Sequence, residues 1–128
     1  MTSSTRTITL AAALLGLLGV ALGAFGAHAL KPTLEAHGSV ETWKTAVLYH
    51  LVHAAALLAL AGWRDAHAGP SGKVAALWIG GVVLFSGSLY WLSIGGPRIL
   101  GPVTPLGGVA FLAGWALLAW SAFQRPTA

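Results

Sequence analysis

The chain has no cysteine and only three acidic residues, Glu35, Glu41 and Asp65. The first absence excludes disulfides, thiolate metal sites and cysteine nucleophiles, and it leaves the compartment open. Charge of either sign is scarce: 8% of the residues are charged, against roughly 25% in an ordinary soluble domain. A water-soluble monomer does not fit that shortage. A disordered chain is excluded as well, because disorder needs low hydrophobicity and high charge, whereas 56% of this chain is hydrophobic. With 128 residues the chain has room for one domain.

What is present is a pattern of gaps. The ten charges are Arg6, Lys31, Glu35, Glu41, Lys44, Arg64, Asp65, Lys73, Arg98 and Arg125. They leave four charge-free stretches, Ile8–Ala27, Thr45–Trp63, Val74–Ile94 and Val103–Phe123, of 20, 19, 21 and 21 residues. About 20 helical residues at 1.5 Å each cross the roughly 30 Å hydrocarbon core. The stretches are rich in Leu and Ala, which favour helix, and none has the polar face that a helix of a soluble bundle turns to water. A transmembrane barrel would need at least eight alternating strands. The pattern predicts an all-α, integral membrane four-helix bundle with short loops, its helices at about residues 8–30, 40–63, 74–94 and 103–123 of a single domain.

Boundary residues agree. Trp43, Trp63, Trp91 and Trp120 fall near expected interfaces, where amphipathic rings are favoured; Trp78 and Trp115 fall deeper and read as packing residues. Pro97, Pro102 and Pro105 with Gly95, Gly96 and Gly101 mark the third turn. Ser39 is placed to cap the second span, with Glu41 in its first turn. A short interfacial helix after Pro32 would carry Leu34 on its apolar side. Arg6, the apolar run and Ala27-His28-Ala29 resemble a signal peptide, but the run is 20 residues long where a signal core has about 7–15, which favours a retained span. Arg6, Arg64, Lys73 and Arg125 on one side against Lys31, Lys44 and Arg98 on the other favour cytoplasmic termini. The net charge of +4 is scattered, with no basic stripe for nucleic acid; it fits anionic lipid headgroups.

Function must then come from the few polar residues at membrane depth, which are costly without partners. These are Tyr49, His50 and His53 in the second span, Ser86, Ser88 and Tyr90 in the third, and Thr104 opening the fourth. Counted from Val40 and from Val74, His50 and Ser86 lie about 15 and 18 Å along their axes, so a hydrogen bond from His50 or His53 to Ser86 or Ser88 is expected. Three readings compete for His50 and His53: neutral histidines satisfied across a helix interface, haem or metal ligation, and a proton relay, for which an imidazole is suited, or a small-molecule site. Ligation meets a difficulty, because His28, the obvious third imidazole, lies about 15 Å nearer the interface and no Asp, Glu or Cys stands at midplane. His37 and His67 read as solvated. Gly19, Gly23 and Ala27 form a small-residue ridge for close helix packing.

Four segments together resemble a known family: Gly23-Ala24-Phe25-Gly26-Ala27-His28-Ala29-Leu30 before Lys31; Thr45-Ala46 with Tyr49, His50, His53 and Ala54; Leu84-Phe85-Ser86-Gly87-Ser88-Leu89-Tyr90; and Gly101 with Thr104-Pro105-Leu106-Gly107-Gly108 and Ala113-Gly114-Trp115. In this order they are similar to the YgdD/YwdK-type small membrane proteins, a domain-of-unknown-function family with a mitochondrial relative. The resemblance implies four spans, an inner-membrane location in bacteria and a retained first helix. It implies no reaction, and it brings His28, Tyr49, His53, Ser86, Ser88, Tyr90 and Thr104 forward as motif positions.

The expectation is a non-enzymatic accessory, assembly or lipid-interacting protein with no catalytic residue, resident metal or cofactor. Its partners would be the bilayer and a larger membrane complex or further copies of itself. The alternatives are permeation or a proton relay through the His–Ser–Tyr cluster, and haem or metal binding through His50, His53 or His28.

Overall fold

The structure, a computed structural model, describes residues 1–67 and 69–124; Arg125, one of the four cations used for orientation, lies outside them. The elements in order are α1 (Ser3–Ala27), α2 (Lys31–Ala36), α3 (Val40–Ala66), α4 (Ser71–Gly81), a π-helical turn (Val82–Ser86), α5 (Gly87–Ser93), a 3-10 turn (Arg98–Leu100) and α6 (Val103–Phe123). Four stretches have the length and composition to cross a membrane: Ser3–Ala27, Val40–Asp65, Ser71–Ser93 and Arg98–Phe123.

Helix boundaries follow from local chemistry. α1 begins five residues before the charge-free stretch because the Thr2 hydroxyl accepts the Thr5 amide at 3.1 Å and caps it. It ends at Ala27, short of the expected residue 30, where the chain turns into α2. Pro32 stands in the first turn of α2, where its missing N–H costs nothing, and Leu34 is buried beneath it. Gly38, at φ +61°, supplies the left-handed turn into α3. Ser39 precedes α3, but its hydroxyl makes no capping bond. It donates instead across the bundle to the Ser93 carbonyl at 2.6 Å.

The spans pack in chain order. α1 lies against α3, α3 against the third span, and the third span against α6. α1 and α6, the outer members, bury less of their surface than the two between them. The seam of α1 runs through Thr5, Ala12, Gly19 and Gly26, small residues at seven-residue intervals, a spacing that keeps one face on a neighbouring helix. Gly19 lies against Leu51 and His50, Gly23 against Val47, and Gly26 against the Trp43 indole. The expected ridge is therefore shifted: Gly26, not Ala27, completes it, and Ala27 is exposed.

The third span is not a continuous α-helix. Its buried positions run Ser71, Val74, Ala75, Trp78 and Gly81. A π turn with one inserted residue follows at Val82–Ser86, and Val82, Ser86 and Ser88 are buried. α6 meets this turn closely. A methyl group at Gly107 would lie 2.8 Å from the Phe85 Cα, and one at Gly81 would lie 2.6 Å from the Phe111 ring.

Backbone cannot yield as a side chain can. Gly107→Ala is therefore expected to destabilise the folded protein by about 1–3 kcal/mol, the usual cost of overpacking. Gly16→Ala, where nothing lies within 4 Å, should be neutral or slightly stabilising. Thermal melts of the two variants in one detergent would check this; equal midpoints would contradict the close contact.

Candidate functional site

The polar residues at membrane depth are drawn into three separate bonding groups. The first is centred on His53. Its Nδ1 lies 2.8 Å from the Tyr49 carbonyl, and a carbonyl only accepts, so Nδ1 carries the proton. Its Nε2 receives the Trp115 indole N–H at 3.0 Å. Both ring nitrogens are thus used, in one tautomer, by two different helices. The ring is also stacked on Phe111 with centroids 3.8 Å apart and edged by Trp78 at 5.9 Å. Tyr49, which is 41% exposed, serves this group through its backbone and its ring contact with Phe85.

The second group ties the third span to its neighbours. The Ser86 hydroxyl donates to the Ala46 carbonyl of α3 at 2.7 Å. Ser88 and Thr104 share a hydroxyl–hydroxyl bond of 2.6 Å, and Ser88 also reaches the Phe85 carbonyl at 3.0 Å. These carbonyls belong to helices. Hydroxyls that add a bond to an already bonded carbonyl need no other partner in hydrocarbon.

The third group is His50 with Tyr90. Nδ1 and the phenol oxygen share a bond of 2.9 Å. His50 is 3% exposed, and its Nε2 is buried without a hydrogen-bond partner. Leu15 of α1 presents a backbone group towards this ring but falls short of hydrogen-bond geometry.

The expected bonds from His50 or His53 to Ser86 or Ser88 do not form. The reason is axial level: Ser86 meets the α3 backbone at Ala46, one turn before His50, while Nε2 of His53 is taken by Trp115 of α6. His28 caps the C-terminus of α1 and is exposed, far from this level. Among the described residues, no three histidines or carboxylates come close enough together to hold a metal ion. His37 and His67 bond the carbonyls four residues before them.

Several working residues were missed by sequence reasoning. Trp115 read as packing yet donates to His53. Trp43 read as an interface ring, yet it is buried and donates to the Leu22 carbonyl at 2.9 Å. At the opposite end, Thr5 donates to Asp65 at 2.6 Å, closing α1 on α3. The one available signal was that Trp78 and Trp115 fell too deep for an interface belt.

Geometry of this kind defines a polytopic helical membrane protein whose intramembrane polar side chains fasten helix to helix. The comparisons narrow the class. The chain belongs to the family described as protein of unknown function (DUF423), whose model matches residues 22–108. It is 44% identical over 110 residues to UPF0382 membrane protein YwdK of Bacillus subtilis, covering 84% of this chain and 89% of that protein. It is 42% identical over 118 residues to UPF0382 inner membrane protein YgdD of Escherichia coli, covering 90% and 88%. It is also 40% identical over 119 residues to UPF0382 membrane protein C1782.12c of Schizosaccharomyces pombe, covering 88% and 98%. No solved structure matches. The chain is thus a membrane protein of a family without an assigned activity.

Trp115→Phe keeps the aromatic packing but removes the donor to His53 Nε2. It should cost about 0.5–2 kcal/mol, the range for interhelical bonds in membrane proteins and for an acceptor left unpaired. A double-mutant cycle with His53→Ala, read by unfolding in mixed micelles, checks the coupling. A coupling energy of zero would mean that the bond contributes nothing.

Proposed function

We propose that the chain is a non-catalytic integral protein of the bacterial inner membrane, acting through binding as an accessory, assembly or lipid-interacting component. The observation that carries this reading is the bonding state of the polar residues at membrane depth. Ser86, Ser88, Thr104 and both nitrogens of His53 are engaged within the chain. A nucleophile or general base must be able to reach substrate, and a ligand must offer a free lone pair. His53 offers neither. The inner-membrane location is supported by the name of the Escherichia coli relative. Cytoplasmic termini rest on the sequence count alone, Arg6, Arg64, Lys73 and Arg125 against Lys31, Lys44 and Arg98.

A second reading, a proton relay, is favoured by one observation, the buried and unpartnered Nε2 of His50 beside Tyr90. A relay needs a chain of partners. Ser86 and Ser88, the other members expected in it, bond the α3 backbone and Thr104 instead.

Flux through proteoliposomes separates the two. The purified protein and its His50→Ala variant should both show proton flux at the level of protein-free vesicles. Flux above that level in wild type, lost in His50→Ala, would replace the binding reading by the relay.

A further inference from the structure

We infer that the cleft between α1, α2 and α3 binds an anionic phospholipid, with Lys31 and Lys44 on its phosphate and an acyl chain along Val47 and Leu51. This assignment rests on the lipid-interacting reading above and names the lipid class and the site.

The cleft has a volume of about 560 Å³, within the roughly 300–1,000 Å³ of small-molecule sites. Its composition is graded. Lys31, which opens α2, and Lys44, in the second turn of α3, both line it and are exposed. Trp43 forms part of the wall, with its indole N–H already committed to the Leu22 carbonyl. Deeper lining is apolar: Val47 and Leu51 follow Lys44 along α3. Seven residues separate Lys44 from Leu51, so the cleft descends about 10 Å along the helix, from headgroup level into hydrocarbon. α1 contributes Gly23, Gly26 and Ala27, none of which projects a long side chain into the space.

Charge selects the occupant. None of the three carboxylates, Glu35, Glu41 and Asp65, lines the cleft. Glu41 does pair with Lys44 at 3.2 Å, but the two side chains are 86% and 68% exposed. A pair so exposed contributes little, and Lys44 can exchange it for a phosphate. Two ammonium groups at a membrane surface, above an apolar floor, match a lipid that joins one negative charge to acyl chains. A zwitterionic lipid brings its own cation to the same mouth and is disfavoured.

The test is native mass spectrometry of the full chain in maltoside micelles. Phosphatidylglycerol or phosphatidylcholine with the same acyl chains would be added, and glycerol 3-phosphate would be a competitor. Phosphatidylglycerol should be retained at least about tenfold over phosphatidylcholine, and equimolar glycerol 3-phosphate should not displace it. Lys31→Gln with Lys44→Gln should abolish the preference; Lys73→Gln, at the other end of the bundle, should keep it. Both positions are exposed, so folding is not at risk, and Lys31→Glu with Lys44→Glu should reverse the preference. Equal retention of the two lipids by wild type would overturn the assignment, as would a preference surviving the double substitution. Displacement by glycerol 3-phosphate would mean a site for free phosphate esters. A change of oligomeric mass in the double variant, with lipid retention unchanged, would make the cleft a subunit interface. Each of these results can occur while proteoliposome flux stays at zero, so the site can fail without the non-catalytic reading failing.

Discussion

Hydrocarbon supplies no hydrogen bonds, and the architecture answers to that constraint. Every polar group carried below the headgroups must find its partner inside the chain or be left at a cost of several kcal/mol. The backbone meets this by being helical through all four spans. The side chains meet it in pairs that bridge helices: Ser86 to Ala46, Ser88 to Thr104, Trp115 to His53 and Trp43 to Leu22. Each bond joins elements that no hydrophobic force holds together, because lipid tails are as apolar as leucine.

Close approach is the second requirement, and glycine provides it. Gly26 admits the Trp43 indole, Gly114 the Trp78 indole, and Gly107 the backbone at Phe85. The π turn at Val82–Ser86 joins these two devices. Phe85 within it meets Gly107 of α6, and Ser86 at its end bonds the Ala46 carbonyl of α3. Ser86 continues the buried face of Ala75 and Val82.

Much of this architecture was legible in ten charges. Their gaps gave the four spans, and Pro32 with Leu34 gave the short helix between the first two. The bonding was not legible. Depth counting placed His50 and Ser86 at one level, but it started the third span at Val74, whereas the helix begins at Ser71, and Ser86 meets Ala46, one turn before His50 along α3. The small-residue ridge was read at four-residue spacing from Gly19, which reaches Ala27, whereas the seam keeps a seven-residue interval and reaches Gly26. Trp43 was misread because interface position and burial are independent. Its place near a span end is visible in sequence, but the carbonyl it meets on α1 is not.

Left outside these bonds are the buried Nε2 of His50, the buried Nε1 of Trp78 and the lysine-rimmed cleft between α1, α2 and α3. The proposal that the core fastens rather than reacts is tested most directly at His53. Nitrogen-15 solid-state NMR of the protein in lipid would report which ring nitrogen carries the proton and whether the ring meets the Trp115 indole. A fastening role predicts a protonated Nδ1 and an unprotonated Nε2 correlated with the Trp115 Nε1–H. A protonated Nε2, or no correlation with Trp115, would contradict it, since His53 would then be free to ligate or to transfer protons.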